Sequence, residues 1–271
     1  MKTHYVLFAA LLLTACATPC PDCTPTEVQL ETTDTGALWA EHAAEYQAVA
    51  AQVYAQARRD LPRLLNDATW TALPGQYDVA GKPPAIILDV DETVVSNAGY
   101  QKTLAVAPYT RFRHFDWMRS NQAVPLRGAA ETIAAARAAG VEVFFVTNRA
   151  CERFDGVEGD CPAEQVTIDD LREAGIEADA EHVWMAWEQP TWNKEKLNRR
   201  EHLAKTHRVI MLFGDDYGDF VQCTRAKPLP PCTAGATRAS RHAALDTYAE
   251  YWGNGWYILP NPMHGSWTTV R

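Results

Sequence analysis

The chain has 271 residues, 47% of them hydrophobic and 22% charged, which is the make-up of a folded globular protein and excludes a disordered or fibrous one. That length allows one large domain or two small ones, with enough chain to bury a core. With 34 acidic against 25 basic residues the net charge is −9. That is the wrong sign for a nucleic-acid polymer as partner, so phosphate must be handled by a local site or a metal.

The chain opens on a weakly basic stretch and an apolar run over residues 5–13, too short to cross a bilayer as a helix. Leu13-Thr-Ala-Cys16 closes the run and resembles a bacterial lipoprotein signal. Residues 1–15 are therefore expected to be removed and Cys16 to carry the lipid anchor that holds the protein to a membrane. Ala17, rather than aspartate, follows that cysteine and resembles outer-membrane sorting. The expected location is the bacterial cell envelope, on the periplasmic or outer face of the outer membrane. Residues 16–36, rich in Thr, Pro and acid, read as a flexible linker, and residues 37–271 as the folded domain.

Six further cysteines fit an oxidising compartment. Close spacing suggests Cys151–Cys161 and Cys223–Cys232 disulfides, each stapling a loop. Cys20-Pro-Asp-Cys23 lies in the linker and reads as part of the tether.

A helical pattern follows over residues 37–61, with Trp39, His42, Tyr46, Val49 and Val53 on one stripe and Pro62 near its end. Residues 85–88 are a buried-strand run. Residues 127–139 predict a helix stopping at Gly140, and residues 141–146 the next strand. Thr167-Ile-Asp-Asp170 predicts a capped helix start, and that helix ends at Gly175. Strands are predicted over 183–187, 209–213 and 256–259, with a polar helix over 194–206. Strands alternating with helices, without an internal repeat, predict an α/β fold: a Rossmann-like, mostly parallel sheet covered on both faces.

Ligands of such sheets bind beyond the carboxyl ends of the strands. There the sequence puts Asp89-Val-Asp91-Glu-Thr93, Thr147-Asn148-Arg149, Lys194 and Lys196, and Asp215-Asp216 with Asp219. Asp216, Asp169 and Asp170 are expected to be ordinary loop and N-cap residues. Carboxylates converging on one rim repel unless a cation sits among them, and hard oxygen donors without a His/Cys cluster point to Mg²⁺.

Ile87-Leu-Asp-Val-Asp-Glu-Thr-Val-Val-Ser-Asn-Ala-Gly-Tyr100 and Ile210-Met-Leu-Phe-Gly-Asp-Asp-Tyr-Gly-Asp-Phe220 resemble the two signatures of class C acid phosphatases. These are haloacid-dehalogenase (HAD) superfamily enzymes, bacterial outer-membrane lipoproteins that act as 5′-nucleotidases. The ending Ile258-Leu-Pro-Asn-Pro-Met-His-Gly-Ser-Trp267 and the helix through Glu45-Tyr46-Gln47 are also similar. The departures are Asp216 where the family has Asn or Thr, Tyr217 for Leu, and His264 for Tyr.

The resemblance implies hydrolysis of a small phosphomonoester, a nucleoside 5′-monophosphate or nicotinamide mononucleotide. Asp89 would be the nucleophile that becomes an aspartyl-phosphate, and Asp91 the general acid and then base. Mg²⁺ would be held by the Asp89 carboxylate, the Asp91 carbonyl and Asp215, with Asp219 ordering a metal-bound water. Thr147 would hydrogen-bond the phosphoryl group, beside Asn148 and Arg149 as further substrate contacts. Lys196 would supply the fixed positive charge, chosen over Lys194 because Lys196-Leu-Asn-Arg199 matches the family's Lys-x-x-Arg spacing. The insert over residues 97–125 is the expected cap. Of its rings Tyr100, Tyr109, Phe112, His114, Phe115 and Trp117, most would be cap core. Tyr109 would stack a base opposite His264. A broad acid phosphatase without nucleotide preference is the alternative enzyme, and a non-catalytic surface lipoprotein the alternative class; the intact Asp89/Asp91/Asp215 set argues against the latter. A dehalogenase would leave Asp91 without a role, and no oligomeric state follows from the sequence.

Overall fold

The structure is a computed structural model and describes residues 35–270. The expected signal, the anchor cysteine Cys16, and Cys20 and Cys23 lie outside the described residues. No helix among the described residues is long and apolar enough to cross a membrane.

The amino-terminal helical pattern is two helices, α1 (Thr35–His42) and α2 (Ala44–Asn66), broken where Ala43 takes an extended backbone. The buried stripe of α2 is Tyr46, Ala50, Tyr54, Ala57, Leu61 and Leu64, not the one expected through Val49 and Val53. Tyr54 fits the inner face because its polar tip finds a partner there: its Oη donates to Thr93 O at 2.7 Å. Pro62 lies inside α2 rather than stopping it.

The central sheet has five strands, all parallel: β1 (Pro84–Leu88), β4 (Glu142–Ala150), β5 (Val183–Ala186), β6 (Arg208–Gly214) and β7 (Trp256–Ile258). Two short strands, β2 (Val95–Ser96) and β3 (Val124–Pro125), pair antiparallel and bracket the insert between them. The sheet order is β5-β4-β1-β6-β7. The chain thus builds outward from β1 on one side and then returns to build on the other. The strand order reverses at β1, and the carboxyl ends of β4, β1 and β6 border the crevice where such folds bind ligands.

Alternate residues of each strand enter two cores. Ile86, Leu88, Val143, Phe145, Ile210 and Phe213 pack with α2 and with α5 (Ala129–Ala138). Ala85, Ile87, Phe144, Val146, Val209 and Leu212 pack on the other face with Leu203 of α7 (Leu197–Ala204). The near-continuous apolar runs of the sequence are this two-sided burial.

Helix α6 (Pro162–Glu173) starts five residues before the expected cap, with Cys161 at its N-cap and Pro162 in its first turn. Thr167 is buried mid-helix, its hydroxyl donating to Ala163 O at 2.7 Å, which removes the need for a capping role. Helix α7 is shorter than its polar pattern, leaving Lys194 and Lys196 in the segment before it. The insert folds as α3 (Ala98–Thr103) and α4 (Arg111–Arg119). A further helix, α8 (Arg238–Thr247), buries no residue, so no apolar stripe announced it. The Cys151–Cys161 and Cys223–Cys232 disulfides are both formed.

Candidate active site

Asp89 follows β1 directly, and its N–H donates to Phe213 O at 3.0 Å, so its backbone stays stitched to β6. The chain then turns: Val94 and Val95 donate to Val90 O, and Glu92 takes a left-handed φ of 54°. Asp89 and Asp91 leave this turn toward different partners.

Asp89 Oδ1 lies 2.7 Å from Lys196 Nζ, and the same ammonium lies 2.6 Å from Asp219 Oδ1. All three residues are buried. Burial favours the neutral amine of Lys196, but Asp219 and Asp89 outweigh it and raise the group above the ordinary lysine value. Burial raises Asp89 as well, against the pull of Lys196. It pushes Asp219 up to about 6 despite the same lysine. Asp215, just past β6, is raised well above the usual range by burial and by the charges of Asp219, Asp89 and Glu92.

Asp219 reaches the cluster by folding back over the end of β6. A Cβ on Gly214 would lie 2.2 Å from Asp219 Oδ2 and 2.3 Å from its Cβ, so only glycine admits this return. Carboxylate oxygens of Asp89, Asp215 and Asp219 all lie within 4.8 Å of one another. Three carboxylates against one ammonium leave excess negative charge on hard oxygen donors, a set that fits a divalent cation. The Asp91 side chain points elsewhere. Asn97 Nδ2 donates to its Oδ1 at 2.8 Å, and Arg149 holds it with Nη2 at 2.7 Å from Oδ1 and Nε at 3.0 Å from Oδ2. Burial alone would raise Asp91, yet Arg149 holds it far below the usual carboxylate range.

Arg149 is the main departure from expectation. Its guanidinium is fully buried and also donates to Asp170 Oδ2 at 2.6 Å and Thr167 Oγ1 at 3.2 Å. It is spent on two carboxylates rather than offered to substrate. Asp170, expected to be an ordinary polar residue, is therefore a buried counter-ion. Asp169 does stay at the surface, paired with Arg172 at 2.6 Å. Thr147 is fully buried, its Oγ1 accepting from Arg149 N at 3.1 Å. Asn148 lines the cleft, and its Oδ1 accepts from buried Arg199 Nη2 at 2.8 Å.

Above these residues is a cleft of about 380 Å³, whose lining includes Asp89, Asp91, Tyr109, His114, Lys194 and His264. Tyr109 is 58% exposed. His264 Nε2 sits 2.7 Å from Oε2 of Glu92, which is fully buried and also accepts from Asn97 N at 2.6 Å. Burial would lower His264, but Glu92 outweighs it and raises the imidazole to about 9. The ring expected to face Tyr109 lines the same cleft but is tied down as a cation.

The family described as HAD superfamily, subfamily IIIB (acid phosphatase), matches the chain over residues 17–267. Two solved structures of the class C acid phosphatase from Bacillus anthracis, one of them with tungstate bound, are each 26% identical to it over 88% of both chains, with TM-scores of 0.68 and 0.69. The chain belongs to the acid phosphatases of HAD subfamily IIIB, and the solved structures it resembles are class C enzymes. It is a phosphomonoesterase.

Several residues that hold this phosphatase's site together carried no signal in the sequence. Glu92 and Asn97 lie in the first signature, but their partners His264 and Trp117 are distant in the chain; Trp117 Nε1 donates to Asn97 Oδ1 at 2.8 Å. Asn261 donates to Asp215 Oδ2 at 2.7 Å from the last loop. Arg199 was visible only as the end of a spacing. Asp216 is the N-cap that was expected, accepting from Gly218 N at 2.8 Å, and it also anchors Ser266.

Proposed function

We propose that this phosphatase hydrolyses nucleoside 5′-monophosphates or nicotinamide mononucleotide through an aspartyl-phosphate on Asp89, with Mg²⁺ as cofactor. The reading is carried by one observation: the Asp89 carboxylate meets Lys196 and the Asp215/Asp219 pair at a single point.

Asp89 Oδ attacks phosphorus in line, and the bond to the leaving oxygen breaks. Lys196 keeps its proton and balances charge growing on the phosphoryl oxygens. Asp91 hands a proton to the leaving alkoxide, then takes one from the water that cleaves the aspartyl-phosphate. At rest Arg149 keeps Asp91 ionised, the form the second step needs. The incoming dianion favours protonation of Asp91, the form the first step needs. Asp89, Asp215 and Asp219, with the Asp91 carbonyl, would hold Mg²⁺, which when bound offsets the repulsion between carboxylate and phosphate. Tungstate bound to the Bacillus anthracis relative is a tetrahedral oxyanion, the shape class of a phosphoryl group.

Tyr109 supplies a face for the base. The tie between His264 and Glu92 favours, as the second reading, a broad acid phosphatase without nucleotide preference, since that ring is not free to close on a base. We also propose an outer-membrane lipoprotein anchored through Cys16, in keeping with the two disulfides of the described fold. Phosphate release from a panel of monophosphates, with and without Mg²⁺, tests the activity. Equal rates with AMP and glycerol phosphate would favour the second reading, and equal rates after chelation would remove the metal.

A further inference from the structure

The mouth of the cleft carries two cations that the chemistry above leaves unused. Lys194 is exposed in the segment before α7, and Arg225 is half-buried in the loop closed by Cys223–Cys232; both line the cleft that holds Asp89. Among the described residues Lys194 Nζ has no hydrogen bond and no ion pair, only the Trp187 ring at 5.4 Å from its centroid. Arg225 reaches a carboxylate only through Nε, 4.0 Å from Glu195 Oε1. That carboxylate is buried and accepts from Cys223 N through its other oxygen, at 3.1 Å. The terminal nitrogens of Arg225 have no partner among the described residues. Glu152, also at the mouth, is paired with Arg111 at 3.0 Å.

The two cations feel each other. Lost solvent and then the charge of Arg225 hold Lys194 below the ordinary lysine value, with Glu152 pulling the other way. Like charges left facing a cleft, in a chain whose net charge is −9, are relieved by an anion between them. That anion is not the transferred phosphoryl group, which has Lys196 and the carboxylate cluster at the cleft floor. A guanidinium fork beside a point-charge ammonium is instead the donor set for a second phosphate or carboxylate.

We propose that Lys194 and Arg225 form a distal anion subsite, which takes a second anionic group on the leaving portion of the substrate. This rests on reading Asp89 as the phosphoryl-transfer centre, and it names the favoured class as phosphomonoesters that carry another phosphate or a carboxylate.

The test compares matched pairs on the full chain: adenosine 3′,5′-bisphosphate against AMP, and 3-phosphoglycerate against glycerol 3-phosphate. The wild type is expected to favour the more anionic member of a pair in kcat/KM. In the Lys194→Gln/Arg225→Gln double variant that preference should fall by about tenfold or more, nearly all of it in KM. Lys194→Arg with Arg225→Lys should restore most of it. A fall for the bisphosphate pair alone assigns the subsite to phosphate, and a fall for both pairs to anions in general. Equal losses on both members of each pair would hand the cations to the transferred group and overturn the proposal, as would an unchanged ratio. Titration calorimetry of the Asp89→Asn chain with the adenosine pair reads the subsite without turnover. Tighter bisphosphate binding by about tenfold, abolished in the double variant, supports it. If the wild type released no phosphate while this binding preference held, the transfer reading would fail and the subsite would stand.

Discussion

The floor and the roof of the cleft are built on different principles. On the floor, charges answer charges: Asp89 and Asp219 meet Lys196, Asp91 and Asp170 meet Arg149, and Asp215 adds a carboxylate with no ion pair among the described residues. Asp89, Asp91 and Arg149 sit at the carboxyl ends of β1 and β4, which hydrogen bonding holds in register, and Lys196, Asp170 and Asp219 reach them from the N-cap of α7, from α6 and from the turn after β6. In the roof, rings answer rings. Phe115 stacks on Phe154 with centroids 4.1 Å apart, and Tyr100 packs against His114 at 5.3 Å, while Tyr109 stays open to solvent. A buried charge without its partner costs several kcal/mol, whereas the geometry of a ring pair adds only about 1 kcal/mol beyond the burial that any apolar side chain of similar size would supply. The floor therefore tolerates few sequences and the roof many.

The largest expected effect is at the floor. Asp89→Asn should lower kcat by at least about a thousandfold, since an amide cannot form the acyl-phosphate. The fold should survive, because one repulsive carboxylate is gone. Phosphate release near the wild-type rate from a chain that melts normally would mean the floor is not the reaction centre. Next is Asp170→Asn, which leaves Arg149 buried with one carboxylate instead of two. Breaking such a pair is expected to cost about 3 kcal/mol in denaturant unfolding. It should also slow AMP by about tenfold to a hundredfold, and an activated aryl phosphate less, because the variant disturbs the acid that helps the leaving group. Unchanged unfolding and unchanged rates would show that Asp91 is positioned without Asp170.

The roof should respond more mildly. Tyr109→Ala is expected to raise KM for AMP by the equivalent of ~1–3 kcal/mol with kcat nearly constant, while glycerol phosphate hardly responds. Equal losses on both substrates would make Tyr109 a cap-shaping residue, and roof and floor would then be closer in kind. The smallest effect concerns the join between them. His264 is raised from the ordinary 6.5 to about 9 beside Glu92, with the Asp91 and Asp89 charges acting in the same sense. Its folded value lies above its unfolded one. The pair therefore stabilises fully below about pH 6.5 and loses that contribution as pH rises through about 9. The melting-temperature difference between wild type and Glu92→Gln should accordingly be largest near pH 6 and close by pH 10. A constant difference across that range would mean the pair does not titrate as an ion pair.

The same division governs what could be read from the chain. Asp89, Asp215 and Asp219 were legible because a strand end is a local signal, an apolar run followed by polar residues, and Lys196 was legible through the Lys-x-x-Arg spacing of the family resemblance. Arg149 was legible as a residue but not as a role. Its position after the strand expected over 141–146 announced a site, while its partner Asp170 lies on the far side of a disulfide loop and on a helix whose start was misread by five residues. The α2 stripe was right at Tyr46 but was then followed through Val49 and Val53, whereas the buried face runs through Ala50, Tyr54 and Ala57. Helix α8, with no buried side chain, left no periodicity to find. The pairing of His264 with Glu92 spans 172 positions, and no local pattern carries it.

Gly214 gives the fold a marker that needs no structure to read. Any substitution there adds at least a Cβ, and that atom would collide with the carboxylate folded back above it. A gene copy that has acquired a side chain at this codon must have moved Asp219 and opened the pocket of oxygens. In a collection of related sequences that single position should sort working hydrolases from copies that keep the scaffold and have abandoned the reaction.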